Sequence, residues 1–459
     1  MVVAEYKSMT GRRIAEKLLC GSAAALFMLA TPGRADEEPV TREQIRALQE
    51  QNEKLQQQLQ KQQEMIDALT RKVSDIQNVN TKRDQDLSSL KAEVKEEADQ
   101  APPSAGPLNF GKVNISGEGG IGFFDSENKG QYPAGQFRVD EARLFVDAPI
   151  RGDVYFHTEI ELASREMTTL SLNVEELYLD WQNVSDLWGR EKMMNLRAGR
   201  FYIPFGEEYQ NRFAIDNPLI SHSLSDLWGT DDGVELYGRV SRLQYVVAVQ
   251  SGGIMPYQDF TGDKSVTARI GYDPAKWLHL SVSGMRTGSL DVQNDMFSAL
   301  WFSDGFIRSI GGPGTTRFHA NLVEADAQLR FPWLRLNAAG GYIEYNDNDP
   351  AANNRRDIYY YYLEGVHDFT QKFYGAARFS QIDAPSGFPI LGDGIPNNYF
   401  YGPAPELTQE YWRLSLGMGY RFSSRLLVKA EYSFNQGVEA DDTSRGHENL
   451  FALEAAFKF

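Results

Sequence analysis

The chain has 459 residues, a formal net charge of −17, one cysteine, 22 tyrosines and 26 phenylalanines. This acidity argues against nucleic acid and against an anionic membrane surface as partners. A single thiol, Cys20, rules out a disulfide framework and any cysteine-built zinc or redox centre.

Residues 1–35 have the pattern of a secretory signal peptide. Arg12, Arg13 and Lys17 are basic, Leu18 to Ala30 is an apolar run of 13 residues, and Gly33-Arg34-Ala35 places small residues for cleavage after Ala35. The run is too short to span a bilayer.

Residues 36–100 predict an α-helical coiled coil. No glycine or proline occurs from Thr41 to Gln100. Heptad position a holds Ile45, Asn52, Leu59, Ile66, Val73, Asn80, Leu87 and Val94, and position d holds Leu48, Leu55, Gln62, Leu69, Ile76, Arg83, Leu90 and Glu97. Such a seam needs a partner helix, so an oligomer is expected, of two or three strands. An arm of this length reaches roughly 80–90 Å. Residues 101–107, rich in proline and alanine, read as a linker.

From residue 108 to 459 the period changes to two. Val266, Ala268, Ile270 and Tyr272 alternate with polar residues; so do Trp412, Leu414, Leu416, Met418, Tyr420 and Phe422, and finally Phe451, Leu453, Ala455, Phe457 and Phe459. One apolar and one wet face follow. Tight connections (150–153, 240–242, 273–276, 331–333, 422–424) alternate with long ones at 125–136, 201–232, 252–263, 288–316, 346–355, 384–408 and 437–446. The count is about sixteen strands, and the alternation predicts an all-β transmembrane barrel of antiparallel strands, its apolar face toward outer-membrane lipid and its lumen aqueous.

The polar face carries both signs, including Arg143, Arg197, Arg239, Arg269, Arg330, Arg335 and Arg378 among the bases and Glu141, Glu159, Glu235 and Glu364 among the acids. Enzymatic chemistry finds no footing. The six histidines are scattered, no HExxH or nucleophile-elbow pattern is present, and the triad residue types of 221–226 are mere chain neighbours. No cofactor and no metal site are expected.

Arg143-Leu144-Phe145-Val146, Glu176-Leu177-Tyr178-Leu179-Asp180, Arg197-Ala198-Gly199-Arg200-Phe201 followed by Pro204-Phe205-Gly206, and Asn217-Pro218-Leu219-Ile220 resemble the phosphate-selective porin O and P family. The resemblance implies a homotrimer of sixteen-stranded barrels in the outer membrane, with the loop after the fifth strand folded inward. The helical arm is similar to that of dicarboxylate-channel porins, which implies a periplasmic position. The fifth strand is 194–200, so 201–232 is the expected constriction loop. In it, Glu207, Glu208 and Arg212 are expected to narrow the pore and face Arg143, Arg197 and Arg239 on the wall, with Asp216, Glu141 and Glu235 also lining the constriction. Members selective for phosphate depend on pore lysines, and 193–263 contains none. The expected function is passive diffusion of small hydrophilic or charged solutes. The alternative is a structural anchor whose arm, 41–100, tethers a periplasmic or cell-wall partner.

Overall fold

The computed structural model describes residues 60, 108–110, 112–165, 172–190, 193–254, 260–312, 314–395 and 406–459. The expected signal peptide (1–35), coiled coil (36–100, Gln60 aside) and linker (101–107) lie outside them.

Sixteen long antiparallel strands form the barrel: β1 (Val113–Ser126), β2 (Gln136–Arg151), β3 (Val154–Ala163), β4 (Asn173–Trp181), β5 (Asn195–Tyr202), β6 (Thr230–Val240), β7 (Leu243–Gln250), β8 (Ser265–Ala275), β9 (Leu278–Arg286), β10 (Arg317–Arg330), β11 (Leu334–Asp347), β12 (Arg356–Asp368), β13 (Phe373–Phe388), β14 (Thr408–Ser423), β15 (Leu426–Glu439) and β16 (Leu450–Lys458). Each pairs with its sequence neighbours. β16 closes onto β1 in the register Glu118↔Lys458 to Ser126↔Leu450. Closure leaves no unpaired sheet edge for lipid to meet.

The outward face is the apolar set of the alternation. Ile270 and Tyr272 on β8, Val282 on β9, and Leu416, Met418 and Tyr420 on β14 are all exposed. Trp277, Phe331, Trp333, Phe369 and Phe422 cluster near the short connections and are exposed as well. Trp277 stacks on Phe331 at 6.1 Å, and Trp333 meets His367 edge-on at 5.7 Å. Amphipathic rings in this position suit a membrane–water interface.

Eight long connections occupy one end, one more than expected. The addition is 164–172, whose sequence lacks the glycine and proline that punctuate the other loops. At the opposite end the connections are short, except 182–194. There a 3-10 turn, Val184–Trp188, is closed by Gly189 at φ 71°, with its N–H bonded to the Asp186 carbonyl at 2.9 Å.

The inner face departs from the expected uniform polarity. On β10 the inward row runs Phe318, Ala320, Leu322 and then Glu324, Asp326, Gln328, so it is apolar toward the long loops and polar toward the short turns. Ile343 and Tyr345 on β11, Ile358 and Tyr360 on β12, and Ile382 on β13 continue the apolar half. What covers it is loop. Leu227–Trp228, Phe297–Phe302 and Gly305–Arg308 form a three-stranded sheet. Its Leu227, Leu300, Phe302 and Ile307 pack with Ile203, Phe205 and Leu224 onto the wall residues. Trp228 and Trp301 stack at 5.1 Å and 5°.

Candidate functional site

The connection 203–229 leaves β5, the fifth strand, and its backbone is bonded to inward side chains around much of the barrel. At Gly206 the chain turns with φ 63°, and a Cβ there would lie 2.3 Å from the Glu324 carboxylate. The Gly206 N–H donates to Ser283 Oγ at 3.0 Å, and Arg269 donates to its carbonyl. Further on, the Ala214 N–H donates to Glu141 on β2 at 2.8 Å. Lys429 of β15 donates to the carbonyls of Ala214 (2.8 Å), Asn217 (3.3 Å) and Leu219 (2.8 Å) and pairs with Glu454 at 2.8 Å. Glu431 accepts from the amides of Ile220 and Ser221. Arg378 of β13 donates to the Ser221 carbonyl at 2.7 Å, and Arg413 of β14 to that of His222 at 2.9 Å. An irregular buried segment must find partners for its amides and carbonyls outside any ladder, and here wall side chains supply them.

Between this loop and strands β10 to β13 lies a cavity of about 200 Å³. Glu207, Glu208, Arg212 and Asp216 line it from the loop. Arg330 and Arg335 line it from the wall, with Glu364 and Arg378 beside them.

The four loop residues differ in how their charge is matched. Glu207 accepts from His279 Nε2 and from Gln328 Nε2, both at 2.9 Å, and lies 3.9 Å from Arg269. Glu208 accepts from the Ser223 amide at 3.1 Å and hydroxyl at 2.5 Å. Burial pushes the Glu208 carboxyl above its ordinary range, and Arg378 opposes that shift. Arg212 pairs with Asp226 at 3.2 Å and lies 3.8 Å over the Trp228 ring. Asp216, half exposed, is 3.8 Å from Lys458. Beside Arg212, burial and the neighbouring guanidinium hold the His222 imidazole well below its usual pKa. A neutral ring with the proton on Nε2 donates to the Arg212 carbonyl at 3.0 Å and accepts from its guanidinium at 3.4 Å.

The wall residues expected opposite the loop acids have other partners, which corrects that pairing. Arg143 is enclosed by Glu141 (2.9 Å), Glu159 (2.6 Å), Glu161 (3.4 Å) and the Tyr202 hydroxyl (2.8 Å). It meets the loop only through the Phe213 ring, 4.4 Å away. Arg197 pairs with Glu235 at 3.3 Å and lies 4.2 Å over Tyr178. Arg239 pairs with Asp273 at 2.6 Å, at the short-turn end of β6, whereas the loop joins that strand at its other end. Strand register decides this: Arg143 and Glu161 are cross-strand partners, as are Arg197 and Glu235.

Sequence reasoning missed His279 and Gln328, the partners of Glu207. Neither carries a formal charge in the sequence that would have marked it. Alternation places Arg269, Arg330, Arg335 and Arg378 on the inner face but does not bring them to the loop. Among the described residues no group of histidine, cysteine and acidic side chains is arranged to hold a metal, and no helix is long and apolar enough to cross a membrane.

Comparison with known proteins gives a family match over part of the chain and a fold. The family model of "Phosphate-selective porin O and P" matches residues 113–223. No curated protein sequence matches the chain. Among solved structures, the outer membrane channel DcaP of Acinetobacter baumannii superposes with a TM-score of 0.51 at 13% identity, covering 78% of this chain and 100% of its own. In-vitro folded OmpT, an outer membrane protein of Vibrio cholerae, gives 0.51 at 13%, covering 77% and 100%. Its loop L8 deletion mutant gives 0.50 at 14%, covering 76% and 99%. The resemblance carried by Arg143 to Ile220 is thus a match to the phosphate-selective porin O and P family over 113–223, on a sixteen-stranded barrel with the fold of an outer-membrane porin.

Proposed function

We propose that this chain is an outer-membrane porin, a homotrimer through which small hydrophilic or charged solutes diffuse passively, with 201–232 as its constriction loop. The observation that carries this reading is the attachment of the loop to inward side chains. Lys429, Glu431, Arg378 and Arg413 hold its backbone from the far wall, and Ser283 and Arg269 hold its start. A loop fixed to the wall at this many points can set the cross-section that size screening requires. The apolar exterior and the closed sheet support residence in lipid. Trimer formation rests on the heptads of the arm and on the resemblance, and export rests on 1–35. The arm, 36–100, then lies in the periplasm.

Recording from the purified protein in planar bilayers across a salt gradient tests the reading. Discrete, passive conductance steps with a defined reversal potential are expected. A folded barrel that inserts and carries no current would overturn it.

A further inference from the structure

A ledger of the charges around the 200 Å³ cavity leaves opposite signs unmatched on opposite sides. Glu364 is matched by Arg378, which donates to it through Nε at 3.0 Å. Arg212 is matched by Asp226, and Glu207 is held by His279, Gln328 and Arg269. What remains on the wall is Arg330 and Arg335. They are direct cross-strand partners at the end of the β10–β11 hairpin. Like charges so placed repel. The Arg330 guanidinium donates to the neutral Gln328 side chain, and among the described residues the Arg335 guanidinium has no hydrogen bond or ion pair. Asp216 lies 3.8 Å from Lys458. What remains on the loop is Glu208, whose carboxylate accepts from the Ser223 amide and hydroxyl, feels the Arg378 charge at longer range and has no ion pair among the described residues.

From this juxtaposition we infer that the cavity is a binding subsite for small zwitterions of amino-acid size. The solute carboxylate lies on Arg330 and Arg335, and its ammonium on Glu208. The inference rests on the porin reading and narrows its solute class. A guanidinium pair offers the forked donor geometry that a carboxylate fills, and a bound carboxylate relieves the repulsion between the arginines. The cavity's 200 Å³ is more than about ten times the space one water needs, which leaves room for a solute of small amino-acid size. A solute carrying one charge satisfies one wall and leaves the other unmatched. A zwitterion satisfies both, so it gains where a simple anion or cation does not.

Uptake of labelled alanine, N-acetylalanine and alaninamide into proteoliposomes holding the full-length protein tests this, with glycerol as an uncharged reference. Alanine is expected to enter about tenfold faster than either singly charged analogue. Arg330→Gln with Arg335→Gln brings alanine down to the rate of alaninamide, and Glu208→Gln brings it down to that of N-acetylalanine. Arg330→Lys with Arg335→Lys retains most of the preference. Wild-type uptake of N-acetylalanine as fast as alanine would reduce the site to an anion site and overturn the inference, as would equal rates for all three. If glycerol fails to enter as well, the porin reading itself falls and takes the inference with it.

Discussion

Two walls of the barrel present arginine to the lumen and treat it in opposite ways. On β2, Arg143 is 3% exposed, with three carboxylates within 3.4 Å, a tyrosine hydroxyl at 2.8 Å and a phenyl ring at 4.4 Å. On β10 and β11, Arg330 has a neutral amide for a partner and Arg335 none among the described residues. Both kinds occupy inward positions of an alternating strand. Alternation therefore tells where a charge points and not whether it is available. Availability depends on what the neighbouring strand places in register, and β3 offers Glu159 and Glu161 where β12 offers Val366 opposite Arg335.

Removing one arginine from each wall is expected to separate the two walls most strongly. Arg143→Met leaves Glu141, Glu159 and Glu161 crowded together and buried, so it should cost about 3–5 kcal/mol of barrel stability. Arg335→Met should change stability by no more than about 0.5 kcal/mol. Urea midpoints followed by gel mobility of folded and unfolded barrel measure both. Equal losses at the two sites would erase the distinction.

Charge reversal sharpens it next. Arg330→Glu with Arg335→Glu should move the reversal potential toward cation preference by a factor of about three or more in permeability ratio, since exposed lumen charges set the local ion concentration. Arg239→Glu, at the short-turn end against Asp273, should move it less. A smaller shift at the 330–335 pair than at 239 would contradict the account.

A gentler perturbation is pH. Burial raises the Glu208 carboxyl above the ordinary range, so on mild acidification it takes up a proton before exposed carboxylates do. The loop then loses negative charge opposite the positive Arg330 and Arg335, and anion preference should grow. Glu208→Gln should already show that preference at neutral pH and respond less to acid. An unchanged response in that variant assigns the titration to another group.

The smallest effect on the pore is expected from deleting 41–100. Conductance of a single channel should be unchanged within error, while assembly weakens. A changed unit conductance would tie the arm to the pore itself.

The strand count, the strand preceding the long loop and the outer face were all legible, because a period of two and alternating connection lengths are local signals. The register was not. Bulges between Gly120 and Ile121, Ala142 and Arg143, and Glu159 and Ile160 interrupt the alternation on β1 to β4. They put Asp140 and Glu141, adjacent in sequence, both on lumen partners: Asp140 holds Arg165, and Glu141 holds Arg143. A bulge leaves no fixed sequence mark beyond a permissive residue. The loop was legible as a long excursion with an acidic composition, yet Glu207 is held by His279, Gln328 and Arg269, which lie from 62 to 121 positions away by their numbers. Pairings across that span follow from closure of the barrel and not from any window of sequence. The sheet joining 227–228 to 297–308 was hidden for the same reason: its apolar run, Phe297 to Ile307, reads as another stretch of long loop until the inward apolar half of β10 to β13 gives it a surface to cover.

Whether the loop after β5 limits a conducting pore is decided by the single-channel conductance of a variant in which 209–221 is replaced by a short glycine–serine linker. A unit conductance severalfold above that of the unmodified protein is expected, with folded barrels by gel mobility. A folded, inserted barrel with the same conductance as the parent would contradict it.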